Sequence, residues 1–344
     1  MSDLNINNIT DRTGGSGPVI AGVSTVSSTG AFTVPVGPTE MRGGRGRGLI
    51  AGGITTGSGR VKTIEKLTIA TTGNTTSFGN LTQTASQGAG FSDSTRAVFG
   101  GGTPSTPSGT TNIDFVTISS GGGASDFGDF LVAGFSRFGA SNNTRGIFFG
   151  RVVAPQSYSD IDYVTIASTG DATDFGDAAL RISDGCSCAS TTRGIHAGGN
   201  HYGTGPDGRI QYRYIGYVNI ASRGDSIDFG ESIANIGNQR GGLSSPTRGI
   251  FLNGAPSSVN SLEYVTMATT GNGTDFGDRT VAMSQVATLS SSTRGVMGGA
   301  GEGNNNVIDY ITIATTGNAV DFGDLYTGNN GYACGASDVH GGLG

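Results

Sequence analysis

Residues 309–324 read Asp-Tyr-Ile-Thr-Ile-Ala-Thr-Thr-Gly-Asn-Ala-Val-Asp-Phe-Gly-Asp. In the first six residues, apolar side chains fall on both faces of a strand with a period of two, as in a strand packed between two sheets. Thr-Gly-Asn supplies residues that tolerate positive φ angles, so it predicts a turn. Asp-Phe-Gly-Asp then begins another strand. The stretch therefore predicts two antiparallel strands of an all-β protein.

Variants of this stretch occur six times, each with three landmarks. The first landmark is an arginine before a glycine-rich apolar strand, at Arg47, Arg96, Arg145, Arg193, Arg248 and Arg294. The second is the end of the Tyr-Val-Thr-Ile-like strand, at Ile69, Ile118, Ile166, Ile220, Met267 and Ile313. The third is the phenylalanine of Asp-Phe-Gly-Asp, at Phe78, Phe127, Phe175, Phe229, Phe276 and Phe322. We call these repeats units one to six.

The spacing of the landmarks separates scaffold from variable loop. The strand landmark and the phenylalanine are 9 residues apart in every unit, and 18 or 19 residues separate each phenylalanine from the next arginine. The interval from arginine to strand landmark varies from 19 to 27 residues. Nearly all length variation therefore falls in one loop, and such loops are where scaffolds usually carry their contacts.

Each unit is expected to form four short strands. In unit three they are predicted near residues 146–150, 161–166 and 173–177, with residues 188–190 as the first strand of the next blade. Unit one has no first strand before Arg47, whereas residues 331–337 at the C-terminus match that position. The sequence therefore predicts an all-β, six-bladed β-propeller, closed by a C-terminal strand, over residues 43–344. Residues 1–42 are predicted to form an extended N-terminal arm.

Composition excludes several classes of function. The chain has 344 residues, 63 of them glycine, and a net charge of −6, which argues against a nucleic-acid-binding surface. No apolar run approaches the 18 or more residues of a membrane-spanning helix. The three cysteines are too few for a disulfide framework, and Cys186 and Cys188 are interpreted as small buried residues. No nucleophile elbow, P-loop, dinucleotide fingerprint or metal-ligand pattern occurs, so we predict no catalytic, cofactor or metal site.

The repeat resembles a known family. Ile-Phe-Leu-Asn-Gly or Val-Met-Gly-Gly, then Tyr-Val-Thr-Met or Tyr-Ile-Thr-Ile, then Asp-Phe, resembles a kelch repeat with phenylalanine in place of the outer-strand tryptophan. The sequence pattern Asp-Tyr-Val-Thr-Ile-Ala…Asp-Phe-Gly-Asp is similar to the repeats of kelch-like proteins from marine bacteriophages, especially cyanophages. Residues 9–22 also resemble the N-termini of phage virion and fibre proteins. The resemblance implies a virion location.

The six arginines and the carboxylates of the Asp-Phe-Gly-Asp motifs are predicted to share one face of the disc. In a four-stranded meander, the turns between strands one and two and between strands three and four lie at the same end. We therefore expect a ring of ion pairs and turn caps, in which the six arginines and six phenylalanines are structural. Most of the arginines are predicted to contact an Asp-Phe-Gly-Asp carboxylate or a neighbouring backbone carbonyl. A calcium site at the paired aspartates is the alternative, although the spacing fits no EF-hand loop.

The segment that differs most from its equivalents in the other units lies in unit four, where the interval from the arginine to the strand landmark is 27 residues. The candidate interaction residues in this segment are Tyr202, Arg209, Tyr212, Arg213 and Tyr214. Tyrosine and arginine are enriched in contact surfaces. Two interpretations remain open: a partner-binding loop, or a longer hairpin whose tyrosines pack on the blade edge.

These features predict a non-enzymatic structural or adhesive protein of a phage particle, displayed on tail or capsid. Other virion proteins are the expected partners of the arm, and a host-surface glycan or protein is the expected partner of the propeller. The competing hypothesis is a glycan-acting or glycan-binding propeller, such as a sialidase-like hydrolase. Fold alone does not decide between them.

Overall fold

The computed structural model describes residues 46–104, 109–202, 209–237, 241–253, 259–299, 306–328 and 330–343. In this part of the chain the structure is all-β, without an α-helix, and its antiparallel four-stranded sheets are consistent with a β-propeller. The predicted arm, residues 1–42, lies outside the described residues.

Each unit contributes one antiparallel sheet with its strands in the order first, second, third, fourth; the sheet has four strands in five units and a fifth strand in unit four. Unit one consists of Cys334–Ser337, Arg47–Ala51, Thr63–Thr68 and Thr76–Asn80. Unit two consists of Ala89–Ser92, Arg96–Gly100, Thr110–Thr117 and Ser125–Gly134. Unit three consists of Phe138–Ser141, Arg145–Val153, Gln156–Thr165 and Thr173–Asp177. Its predicted strands are confirmed, with longer second and third strands.

The other three units follow the same plan. Unit four consists of Cys186–Ala189, Arg193–Ala197, Arg209–Asn219 and Ile227–Ile236, and Asn200–Tyr202 also pairs with its third strand. Unit five consists of Gly242–Ser244, Arg248–Leu252, Ser261–Thr266 and Thr274–Asp278. Unit six consists of Ala287–Ser290, Arg294–Gly298, Val307–Thr312 and Val320–Asp324. Ile54–Thr55, Gly59–Arg60 and Asn330–Gly331 form a small separate sheet.

The C-terminal strand pairs with the first strand of the repeat region, as predicted. Gly48 lies opposite Ser337 and Ala51 lies opposite Cys334. After this strand, the chain ends in a 3-10 turn, Gly341–Leu343. The C-terminus thus supplies the inner strand of unit one.

The apolar core lies between neighbouring sheets. One cluster joins Phe149 and Phe175 of unit three to Val218 of unit four. Another joins Ile69 of unit one to Phe322 of unit six. Third strands are buried on both faces, as the sequence pattern predicted.

The first strands of the six units line a common cavity of about 60 Å³. His340 lines it as well, and its Nε2–H donates to the carbonyl oxygen of Ser92 at 2.8 Å. The Nδ1 atom of His340 accepts the N–H of Gly342 at 3.1 Å, so the ring is neutral. Burial lowers the pKa of His340, although its contact with the Ser92 backbone and the charge of Asp93 oppose this shift.

In each sheet, the turns between strands one and two and between strands three and four lie at one end. We call that end the arginine face, because all six repeat arginines begin the second strands there. The opposite end carries the second-to-third loops and the connections from one unit to the next. We call it the loop face.

Candidate functional site

The arginine face is built from one repeated set of contacts. In every unit, the backbone N–H of the arginine donates to a side-chain oxygen of the preceding turn. In unit three this is Arg145 to Asn142 Oδ1, at 2.9 Å. In unit one the acceptor is Asp338, from the other end of the chain, at 2.8 Å. The turn cap therefore fixes each arginine at the start of its strand.

The guanidinium groups bridge neighbouring sheets through backbone carbonyls. Each arginine Nη1 donates to the carbonyl oxygen of the strand landmark in the following unit. The pairs are Arg47–Ile118, Arg96–Ile166, Arg145–Ile220, Arg193–Met267, Arg248–Ile313 and Arg294–Ile69. In units two to six the N···O distances are 2.8–3.3 Å.

The prediction for the repeat arginines is confirmed for the neighbouring backbone carbonyls and wrong for the carboxylates. None of the six repeat arginines forms an ion pair with another described residue. The second and fourth strands are two strand spacings apart, about 10 Å. Asp174 is therefore out of reach of Arg145, and it faces solvent beside Arg223 of the next unit, at 3.8 Å.

Aromatic rings fill the space between the arginines and the outer strands. In units two to six the guanidinium carbon lies 4.3–4.9 Å above the ring of a third-strand residue. These residues are Phe115, Tyr163, Tyr217, Tyr264 and Tyr310. Each ring meets the repeat phenylalanine edge to face, with centroids 5.9–6.2 Å apart. The repeat phenylalanines thus support the rings that the arginines cover.

The outer turns form a second set of contacts between units. In five units the last N–H of the Asp-Phe-Gly-Asp-like motif donates to the Asn or Asp side chain that ends the next unit's turn, at 2.9–3.0 Å. Gly176 of this motif has φ +149, and a Cβ there would lie 2.6 Å from the backbone of Gly224. Glycine is required at this position because the next unit's turn passes so close.

Buried carboxylates form a third set, which the sequence interpretation missed. The residue before the third-strand aromatic position is acidic in five units: Glu65, Asp114, Asp162, Glu263 and Asp309, all buried. Each accepts hydrogen bonds from the connection that leaves the preceding unit. Their donors are Thr327, Thr82, Arg137, Ser232 and Thr280, respectively. The signal was available in the sequence, because an acid recurs at this position.

Burial changes the acid–base properties of this set. It raises the pKa of Asp162, Glu263 and Asp309, although each accepts hydrogen bonds that favour the charged form. Burial also lowers the pKa of Arg137 and of Arg279 to about 10. Arg137 lies 2.9 Å from Asp162, and Arg279 lies 3.8 Å from Asp309.

Unit four breaks the pattern. Gly216 occupies the carboxylate position, and His196 lies opposite it on the second strand. His196 is fully buried, and neither ring nitrogen has a hydrogen-bond partner among the described residues. Desolvation lowers its pKa to about 3. A neutral imidazole therefore takes the place that Phe148 or Phe251 fills in other units.

The candidate interaction segment of unit four contains a β-hairpin. Tyr202 lies opposite Arg209 in register, although the side chain of Arg209 is outside the described part. Tyr212 packs beside the core between units three and four, and its hydroxyl lies 2.9 Å from Nδ1 of His201. Arg213 is exposed, and its Nε donates to the carbonyl of Ser232 at 2.7 Å.

Tyr202 and Tyr214 are only partly exposed. The hydroxyl of Tyr202 donates to Asp184 at 3.4 Å, and the ring of Tyr214 lies 6.0 Å from that of His196. The structure therefore favours the interpretation as a long hairpin that packs on the blade edge. Arg213 and the exposed parts of the tyrosines remain accessible at the loop face.

Within the described ranges, no group of three or more His, Cys, Asp or Glu side chains could hold a metal ion. Cys186 and Cys188 are buried, as expected, and burial raises the pKa of Cys186 to about 12. The part of the chain that the structure describes contains no helix long and apolar enough to cross a membrane. A comparison with known proteins finds no protein family whose sequence profile matches this chain and no curated protein with a similar sequence.

Proposed function

We propose that this chain is a six-bladed, kelch-like β-propeller closed by its own C-terminal strand, and that it is a non-enzymatic structural and adhesive protein of a phage particle. The observation that carries the proposal is the sixfold use of one contact. All six repeat arginines hold the next sheet through a backbone carbonyl.

Closure is supported by contacts that return from the last unit to the first. Gly122 of unit two donates its N–H to the carbonyl of Phe78 in unit one, at 3.1 Å. The same bond joins each later unit to the one before it, and Gly73 of unit one donates to Phe322 of unit six at 2.7 Å. A series of sheets with this last bond has no free end.

A non-catalytic role is supported by the contacts that the arginine and carboxylate side chains already make within the protein. A hydrolase of the sialidase type needs arginines free to bind a substrate carboxylate. In units two to six, each repeat arginine is covered by a ring on its own sheet and bonded to the next sheet. Asp114, Asp162, Glu263 and Asp309 are buried and bonded to connecting segments. These groups stabilise the scaffold.

The virion assignment is supported by the resemblance to cyanophage repeat proteins and by the face at which the described chain enters unit one. The chain enters unit one at the arginine face, where the carbonyl of Gly46 accepts the N–H of Ile69 at 2.7 Å. An arm that binds other virion proteins at this face would leave the loop face, including the unit-four hairpin, turned outward. Strand addition to a partner's sheet edge would satisfy the arm's backbone groups.

Purified phage particles test this function. The full-length protein is expected to be found on tail or capsid, whereas a shortened protein that begins near Met41 should fold as a soluble monomer and fail to join particles. A full-length variant in which the hairpin of residues 202–213 is trimmed to the length found in unit five is the matched control. It should join particles and lose contact with the host surface. Normal incorporation of the shortened protein would refute anchoring by the arm.

A further inference from the structure

Unit one keeps Glu65 and Phe78 in its outer hairpin but differs from the other five units at three other positions of that hairpin. Lys66 stands where the other units have an aromatic ring. Ser77 and Asn80 replace the two acidic residues that flank Phe-Gly in units two to six. The next unit's turn ends in Gly123, where the other turns end in Asn or Asp. These changes all fall at one junction, between units one and two.

The changes leave two positive charges side by side. Arg47 lies opposite Thr68 and Leu49 lies opposite Lys66, so Arg47 and Lys66 point to the same side of the sheet. Elsewhere an aromatic ring packs against the arginine, but here the equivalent position is Lys66. Neither cation forms an ion pair with another described residue. The Asp338 carboxylate accepts the backbone N–H of Arg47.

Both cations line one groove. The groove has a volume of about 260 Å³, and its other polar walls are Asn74 and four threonines of the same hairpin. No carboxylate lines it. The corresponding groove of unit five, about 160 Å³, has Tyr264 in place of Lys66, and no cation lines it. Unit five therefore provides an uncharged groove of the same architecture.

The surroundings of the unit-one groove also favour an anion. The protein has a net charge of −6, and both of its lysines, Lys62 and Lys66, lie in unit one. Loss of the acids at Ser77 and Asn80 removes charges that would repel an anion at this junction.

From these observations we infer that the unit-one groove binds the carboxylate or sulfate group of an acidic saccharide. Nη1 of Arg47 is bonded to the carbonyl oxygens of Ile118 and Ser119, so Lys66 and the other N–H groups of Arg47 hold the oxyanion. The threonine hydroxyls and the Asn74 amide bond to the sugar hydroxyls. The lining is almost entirely polar, which suits a sugar better than the side chains of a docked peptide. The groove lies on the arginine face, so this inference is separate from the host contact proposed for the loop face, and it does not depend on the virion role.

Titration of the full-length protein with glucuronic acid, followed by amide NMR shifts, tests the site. We expect millimolar binding, shifts confined to residues 47 and 66–76, and weaker binding as salt screens the charges. Glucose should not bind. Lys66→Gln should weaken glucuronate binding roughly two- to fivefold, as for loss of one exposed ion pair. Lys66→Arg should retain it.

The matched control is Lys62→Gln, which removes the other, exposed lysine of the same unit outside the groove and should change nothing. A sulfated monosaccharide and a hexaglutamate peptide complete the set of probes. Binding of sulfated sugar that depends on Lys66 would also support the inference. No binding of either acidic sugar, or equal binding by the Lys66→Gln variant, would overturn it. Lys66-dependent binding of hexaglutamate alone would assign the groove to an acidic peptide and overturn the saccharide assignment.

Discussion

The guanidinium of Arg294 donates to the carbonyl oxygen of Ile69 at 3.0 Å, across 225 positions of sequence. Arg294 belongs to unit six and Ile69 to unit one, yet the contact matches the one that each arginine makes with its neighbouring unit. The same side chain also covers the ring of Tyr310, at 4.3 Å. One residue therefore stabilises its own sheet and holds the next one.

Arg294→Ala should lower the free energy of unfolding by about 2 kcal/mol, because it removes a charge-assisted hydrogen bond and a cation–π contact. Thermal unfolding followed by circular dichroism measures the loss. Arg181→Ala, at an exposed arginine, is the control and should have little effect. Equal effects of the two substitutions would contradict the bridging role.

Asp174→Asn should change stability by less than about 0.5 kcal/mol, since the carboxylate is exposed and, among the described residues, pairs only with Arg223, at 3.8 Å. The measurement is urea unfolding at neutral pH. An effect as large as that of Arg145→Ala would restore the ion-pair ring that the structure excludes.

Acid should destabilise the protein through His196. Its folded pKa is depressed to about 3, so the unfolded chain binds a proton more readily. The contribution of the neutral ring to stability is therefore present above the unfolded pKa of about 6.5 and is lost as the pH falls through the window toward 3. His196→Phe, the residue that other units use, should flatten the dependence of melting temperature on pH across that window. Parallel profiles for the two proteins would show that His196 is not the titrating group; His340→Asn tests the other buried histidine.

Titration of Glu263 should change the stability of the protein with pH in the direction opposite to that of His196. Burial raises its folded pKa, so the folded state holds the proton more tightly and stability falls as the pH rises from about 4.3 through the folded value. Glu263→Gln keeps an oxygen acceptor for the N–H of Ile233 and removes the titration. The stability of this variant relative to the natural protein is expected to increase with pH over that window in urea unfolding. A decrease would mean that the donors around Glu263 outweigh its desolvation.

Removal of residues 334–344 should prevent a stable fold, because it leaves the strand Arg47–Ala51 with an unpaired inner edge. Removal of residues 341–344 alone keeps the strand pairing and should give a soluble monomer. Size-exclusion chromatography with light scattering separates the outcomes. A monomeric, cooperatively unfolding protein without residues 334–344 would show that the C-terminal strand is dispensable.

The sequence predicted the strands well because the landmark intervals are constant. The nine residues from Ile166 to Phe175 are enough to define a hairpin, and the missing first strand of unit one predicted the partner of Arg47–Ala51. The sequence left two acceptors for the arginines, a carboxylate or a backbone carbonyl, and could not decide between them, since a backbone carbonyl has no signature in residue identity. The recurring acid was visible in the sequence, but its burial was not. Strands with one exposed face also alternate polar and apolar residues, so the pattern around Asp309 did not distinguish a buried acid from an exposed one.

The carbonyl acceptors have a consequence for how such a chain can change. A salt bridge would require two side chains in adjacent units to be inherited together. The partner of Arg145 is the backbone oxygen of Ile220, and the equivalent partner of Arg193 is that of Met267; any residue in the same strand would present the same atom. The arginine contact therefore survives a change of residue in the neighbouring unit. Only side-chain pairs between units, such as Arg137–Asp162, need a matching residue on both sides.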